Sequence, residues 1–157
     1  SKINLKDHTV SIANNLLQTM QGKKHSVGFI YEIEDIHLTI EQAIPCGLIL
    51  NELLTNALKH AFPNDSGAEI RVSAYCKSDD IVELVVHDNG LGLPKPLNPL
   101  NPESLGLYLV SILTKNQLRG TLDVKNDNGA CFIICFPMAA ANNLKNRIMT
   151  KNKKFDR

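Results

Sequence analysis

The stretch from Leu48 to Phe62, LILNELLTNALKHAF, constrains the fold more than any other. Read as a helix, it sets Ile49, Leu50, Leu53, Leu54, Ala57 and Leu58 at i, i+3, i+4, i+7 spacing, an apolar face that has to be buried. A turn of about 100° per residue places Asn56, His60, Lys59 and Thr55 within about 80° of Glu52, so a second face is one polar stripe. The stripe combines a carboxylate able to act as a base, an amide oxygen able to bind a hard cation, and cations suited to phosphate. Alone, it reads equally well as the solvated side of an amphipathic helix. The motifs downstream distinguish the two.

With 157 residues, the chain is expected to form one domain that buries roughly two-thirds of its unfolded surface. A net charge of +1 and a pI near 7.7 supply no broad field for nucleic acid or an anionic membrane. Neither is expected as a partner. The cysteines are Cys46, Cys76, Cys131 and Cys135, and none has the CxxC spacing of a zinc or redox site. Cys131 and Cys135 share a strand face and read as core filling, with all four thiols free and reduced. Together with the lack of a signal peptide or an apolar run of ~18 to 20 residues, this points to the cytoplasm. The parent protein can be soluble or membrane-anchored.

From Leu5 to Met20 the apolar residues fall on one helical side, and Gln21-Gly22-Lys23-Lys24 ends the pattern. Val27 to Ile33 and Ile36 to Leu38 read as a hairpin across Glu34-Asp35. Thr39 and Gln42 form the pattern of a capping box, and Pro45 is tolerable near the start of the helix that runs to Phe62. Pro63 to Gly67 is breaker chemistry. Glu69 to Lys77 and Ile81 to His87 are a second hairpin, Pro94 to Pro102 a proline-rich loop, and Leu105 to Leu118 a helix with Leu105, Leu109, Ile112 and Leu113 inward. Thr121 to Lys125 and Ala130 to Phe136 close the pattern as strands. The predicted class is α+β, a two-layer sandwich with a mixed, mostly antiparallel sheet packed against three main helices. A domain over 1–137 is followed by a basic, Asn-rich tail over 138–157, in which a short helix from Ala139 to Met149 is possible.

Two further motifs carry chemistry. In Asp88-Asn89-Gly90-Leu91-Gly92, an aspartate fixed at a strand end can accept a hydrogen bond from an exocyclic amine, and glycines let backbone approach a flat ring. In Ser104-Leu105-Gly106-Leu107, Ser104 reads as an N-cap, and the first turn offers N–H groups to an anion. Each alone is also a common turn or helix start.

In order, NELLTNALKHAF, HDNGLGLP, SLGLYLV, QLRGTL and GACFIICFP resemble the ATP-binding domain of sensor histidine kinases, of the GHKL or Bergerat superfamily, in the subfamily whose asparagine box reads NELxTNAxKHAF. The resemblance covers about residues 5 to 137. It implies ATP and Mg²⁺ as cofactors, Asn56 as the Mg²⁺ ligand, Lys59 and His60 near phosphate oxygens, and Asp88 as acceptor of the adenine amino group. Gly90 and Gly92 would frame the adenine, Leu105, Gly106 and Leu107 would lie by the phosphates, and the loop between would be the ATP lid. Glu52 sits where the superfamily has its general base, with Asn51 and Thr55 beside it. The chemistry implied is positioning and charge neutralisation.

The sequence departs from the family at Glu103-Ser104, where many relatives have another glycine, and at Gly129-Ala130, where the usual threonine is missing. The lid also lacks a recognisable phenylalanine motif. Weaker nucleotide binding is the expectation. The partners implied are a histidine-bearing dimerisation helix and a cognate response regulator. None of His8, His25, His37, His60 and His87 lies on such a helix, so the chain is expected to be a monomer that does not phosphorylate itself. Within the superfamily, an anti-sigma-type serine kinase or a small ATPase using Glu52 on water is the alternative. A degenerate module that docks a partner is the non-enzymatic one.

Overall fold

The computed structural model describes residues 2–20, 26–63, 67–77, 80–94 and 102–139. Strand β1 (Lys2–Asn4) runs straight into helix α1 (Leu5–Thr19), whose cap Asn4 accepts a hydrogen bond from the Asp7 N–H at 3.0 Å. After β2 (Gly28–Ile33) and β3 (His37–Thr39), α2 spans Ile40–Asn56 and passes into a wider π turn at Ala57–Ala61. Strands β4 (Glu69–Lys77) and β5 (Ile81–Asp88) follow. Helix α3 (Pro102–Ile112) also ends in a π turn, Leu113–Gln117, before β6 (Thr121–Asn126) and β7 (Ala130–Pro137).

The strands form a five-stranded sheet in the order β2-β4-β5-β7-β6, in which only the β2–β4 pair is parallel. The three helices cover one face, giving the expected two-layer α+β sandwich. Alternation along the strands supplies the core: Ile70, Val72 and Ala74 lie beside Val82, Leu84 and Val86, which lie beside Phe132, Ile134 and Phe136. Helix α2 lies over them with Ile49, Leu50, Leu53 and Leu54 at 0 or 1% exposure.

Four expectations are corrected. β2 and β3 form no hairpin: β2 pairs with β4, and β3 pairs with β1. The intervening α2 supplies the crossover that a parallel pair requires, and Phe29, Tyr31 and Ile33 gain core neighbours that a three-residue β3 could not offer. Thr39 caps α2 without a side-chain bond, and its buried Oγ1 has no partner among the described residues. Gln42 does not complete a capping box; its Nε2 donates to the Pro137 carbonyl at 2.7 Å and its Oε1 accepts from the Ala139 N–H at 3.0 Å. A tertiary contact with two partners outcompetes the local one.

Leu113 packs against the core as expected, but the other three residues of the expected inward side of α3 do not. Leu105, Leu109 and Ile112 are 69, 41 and 36% exposed, whereas Val110 is 0% and Leu107 9%. The helix starts at Pro102, so Ser104 lies within the first turn rather than at the cap. Gly106, Val110 and Thr114, four apart, form the helix's buried side, and Gly106 lets α3 come close to Glu52 and Asn56 of α2. The fourth correction concerns Cys131 and Cys135. They share a strand face as expected, but on the opposite side of β7 from Phe132 and Ile134; Cys131 is buried there at 4% exposure, and Cys135 is only partly buried. All four cysteines are free. The proposed lid over 95–101 and the possible tail helix lie outside the described residues, apart from Ala139.

Candidate functional site

Strand β5 delivers Asp88 to the end of the sheet at 5% exposure. Its Oδ1 accepts from the Gly90 N–H at 2.9 Å and the Ala130 N–H at 3.2 Å. These two donors orient the carboxyl group and leave Oδ2 without a protein partner among the described residues. The geometry depends on Gly129, at φ +131°, where any Cβ would collide with the Asp88 carbonyl. The next residues are pinned from several sides. Asn89 accepts from the Glu69 N–H and donates to the Gly67 carbonyl, both at 2.8 Å, and the Leu91 N–H donates to the Ala61 carbonyl at 3.0 Å.

Asp88 opens into a cavity of about 380 Å³, a volume suited to a small organic ligand. Leu53, Ala57, Ala61, Leu107 and Phe132 make its apolar walls, with Leu91, Gly92, Leu93 and Pro94 along one side. Asn56 and His60 are polar groups of the same cavity, from α2 and its π turn. An apolar chamber with an acceptor on β5 and amide and imidazole groups on α2 can hold a flat base by its amine and place a polar tail along α2. π turns are over-represented at functional sites, and this one re-aims the stripe. His60 lines the cavity, and Lys59 is an exposed residue outside its lining.

The predicted site residues thus separate. Asn56, His60, Asp88, Gly92 and Leu107 come together around the cavity. Gly90 borders an adjoining hollow of about 250 Å³ with Phe62, Pro63 and Ala68. Leu105 turns to solvent. Glu52 is outside the lining, under α3: a Cβ at Gly106 would stand 3.1 Å from both Glu52 Oε2 and Asn56 Nδ2. Helix α3 therefore rests its glycine directly on the polar stripe. Thr55 Oγ1 is buried beside it, with no hydrogen-bond partner among the described residues.

The described residues contain no group of three His, Cys, Asp or Glu able to hold a metal. The donors present, Asn56 with Glu52 a turn away, suit a Mg²⁺ whose remaining ligands are phosphate oxygens and water, as that ion prefers. Leu53, Ala57, Ala61, Leu93 and Phe132 lie within the quoted motifs, but their residue types carry no site chemistry of their own. Leu53, Ala57 and Ala61 could have been found as the positions on the helix flanking Asn56 and His60, but apolar residues there are indistinguishable from core.

Comparison with known proteins follows the same outline. The sequence profile described as histidine kinase-, DNA gyrase B-, and HSP90-like ATPase matches residues 41–140. The sensor histidine kinase PdtaS of Mycobacterium tuberculosis is 33% identical over 90 residues, covering 57% of this chain and 18% of that protein. Blue-light-activated histidine kinase 2 of Erythrobacter litoralis is 29% identical over 84 residues, 54% of this chain and 24% of its own. The chain thus spans under a quarter of these curated relatives. Among solved structures, the Erythrobacter litoralis EL346 blue-light activated histidine kinase superposes with a TM-score of 0.76 at 24% identity, over 90% of this chain and 44% of that one. The catalytic domain of histidine kinase ThkA gives 0.72 at 19% identity, over 88% and 95%.

Proposed function

We infer the function from one premise: the chain belongs to the family of histidine kinase-, DNA gyrase B-, and HSP90-like ATPases. On that premise it is the catalytic domain of a sensor histidine kinase, over residues 1–137 with a tail at 138–157. It binds Mg-ATP and delivers the γ-phosphate to a histidine on a separate dimerisation helix, upstream of a response regulator. The observation that carries this reading is Asp88, buried in the cavity with one carboxylate oxygen fixed by two backbone N–H groups. A carboxylate held this way and left one free oxygen selects an amine, and the adenine amino group supplies it.

Asn56 would hold the Mg²⁺, which when bound neutralises phosphate charge and orients the phosphates. His60 and Lys59 would contact phosphate oxygens from the π turn. Gly106 brings the start of α3 over Asn56, so its backbone can face the phosphates. Glu52, a turn before Asn56, would take the proton from the attacking imidazole nitrogen. Among the described residues no helix is long and apolar enough to cross a membrane, in keeping with a domain working on the cytoplasmic side. As a fragment it is a monomer.

Calorimetry tests the reading directly. Wild type should bind Mg-ADP and Mg-ATP, form no phosphohistidine alone, and phosphorylate an added histidine-bearing helix. Asp88→Asn retains an acceptor for Gly90 and Ala130 but turns a donor toward the ligand. It should fold and lose affinity by about 10- to 100-fold, the scale of a hydrogen bond to a charged group. Undiminished binding by Asp88→Asn would rule out the adenine contact.

A further inference from the structure

The wall formed by Leu91, Gly92, Leu93 and Pro94 follows the end of β5 and belongs to no helix or strand, the kind of segment with little intrinsic order. One side chain from another hairpin holds it. Asn126, the exposed last residue of β6, accepts from the Leu93 N–H at 2.8 Å through Oδ1 and donates to the Leu93 carbonyl at 3.1 Å through Nδ2. Its carboxamide thus replaces a strand partner for Leu93. Among the described residues, these are the hydrogen bonds that hold 92–94. Gly92 adopts φ +79°, and a Cβ there would stand 2.8 Å from Asn126 Oδ1, so the glycine admits the carboxamide.

The same hairpin reaches the site in two more places. The Ala130 N–H donates to Asp88 Oδ1, and His87 Nε2 donates to the Asp127 carbonyl at 2.6 Å. Residues 126–130 therefore set both the acceptor and the facing wall in one rigid frame. Among the described residues, only the Asn126 bonds extend the frame past Leu91.

We propose that Asn126 is a positioning residue for the nucleotide, holding Gly92 to Pro94 against the base while touching no ligand itself. This rests on the reading of the cavity as a nucleotide site. Losing two neutral hydrogen bonds should weaken Mg-ADP and Mg-ATP by the same factor, about fivefold to thirtyfold, since the wall adjoins the base and not the phosphates.

The test compares wild type, Asn126→Ala, Asn126→Asp and Gly92→Ala, with melting temperature, nucleotide Kd, and the NMR shift and hydrogen exchange of the Leu93 amide. In Asn126→Ala the Leu93 amide should shift and exchange faster without nucleotide, the melting temperature should stay near wild type, and both Kd values should rise together. Asn126→Asp retains the acceptor and should keep Leu93 protected better than Asn126→Ala. Gly92→Ala should cost affinity in wild type and less in the Asn126→Ala background, because the pair is already broken. Unchanged nucleotide binding in Asn126→Ala, or a lower melting temperature with affinity intact, overturns the positioning role. A wild-type protein that binds neither nucleotide overturns the nucleotide reading and this role with it, whereas wild-type binding with an indifferent Asn126→Ala overturns this role alone.

Discussion

Gly106 is the residue at which α3 meets the polar stripe, and its environment has no spare room. A methyl group there would be 3.1 Å from Asn56 Nδ2 and Glu52 Oε2. Both atoms end side chains that can turn aside, so Gly106→Ala should fold. The cost falls on the orientation of Asn56. We expect Gly106→Ala to reduce Mg-nucleotide affinity several-fold and to raise the Mg²⁺ concentration needed for half-saturation, measured by titration at fixed ADP. An unaltered Mg²⁺ requirement would show that the α3 contact does not position Asn56. The sequence marks Gly106 as part of a motif, but its contact with Glu52 and Asn56 spans some fifty residues and depends on a helix packing that no local pattern encodes.

At the scale of elements, the Gln42 amide does what the β-ladder cannot. It ties the end of β7 to the first turns of α2, across 95 residues to Pro137 and 97 to Ala139. Gln42 is only 6% exposed, and Gln42→Ala would leave the partly buried Pro137 carbonyl and Ala139 N–H without this partner. The expected loss is about 1 to 3 kcal/mol, or a melting temperature lower by roughly 2–4 °C per kcal/mol. Nucleotide affinity should change little, since Gln42 lies outside the cavity lining. Helix and strand identities were largely legible from periodicity. The inward side of α3 was not, because three leucine-like positions promised more burial than Gly106 and Val110. Close approach to α2 prevailed, and the exposed Leu105, Tyr108, Leu109 and Ile112 remain as an apolar side.

For the whole molecule, one helical layer on one sheet face makes a core centred under α2, and Cys46 lies within it at 0% exposure. Burial pushes its thiol from 9.0 up to about 12. The unfolded thiol ionises first, so the stabilisation from keeping it neutral is complete below pH 9 and is lost as pH rises toward 12. Denaturant midpoints should therefore fall between pH 9 and 11, less steeply in Cys46→Ala. In the native protein Cys76, which is exposed, should alkylate before Cys46. Equal labelling rates by mass spectrometry would contradict the buried placement.

The sequence by itself determined the α+β class, the central amphipathic helix and the order of the motifs, because periodicity and turn chemistry act over a few residues. It also singled out Asn56, His60 and Asp88, whose residue types speak for their chemistry. Only the tertiary structure decided the parallel β2–β4 pair, the face of α3, the separation of His60 from Lys59 at the π turn, and the Asn126 bond to Leu93. Each of these is a choice between local patterns of similar energy, made by a neighbour distant in the chain. The polar stripe that looked equally like solvated surface becomes one wall of a cavity because β5 and β7 place Asp88 and Phe132 at the same cavity.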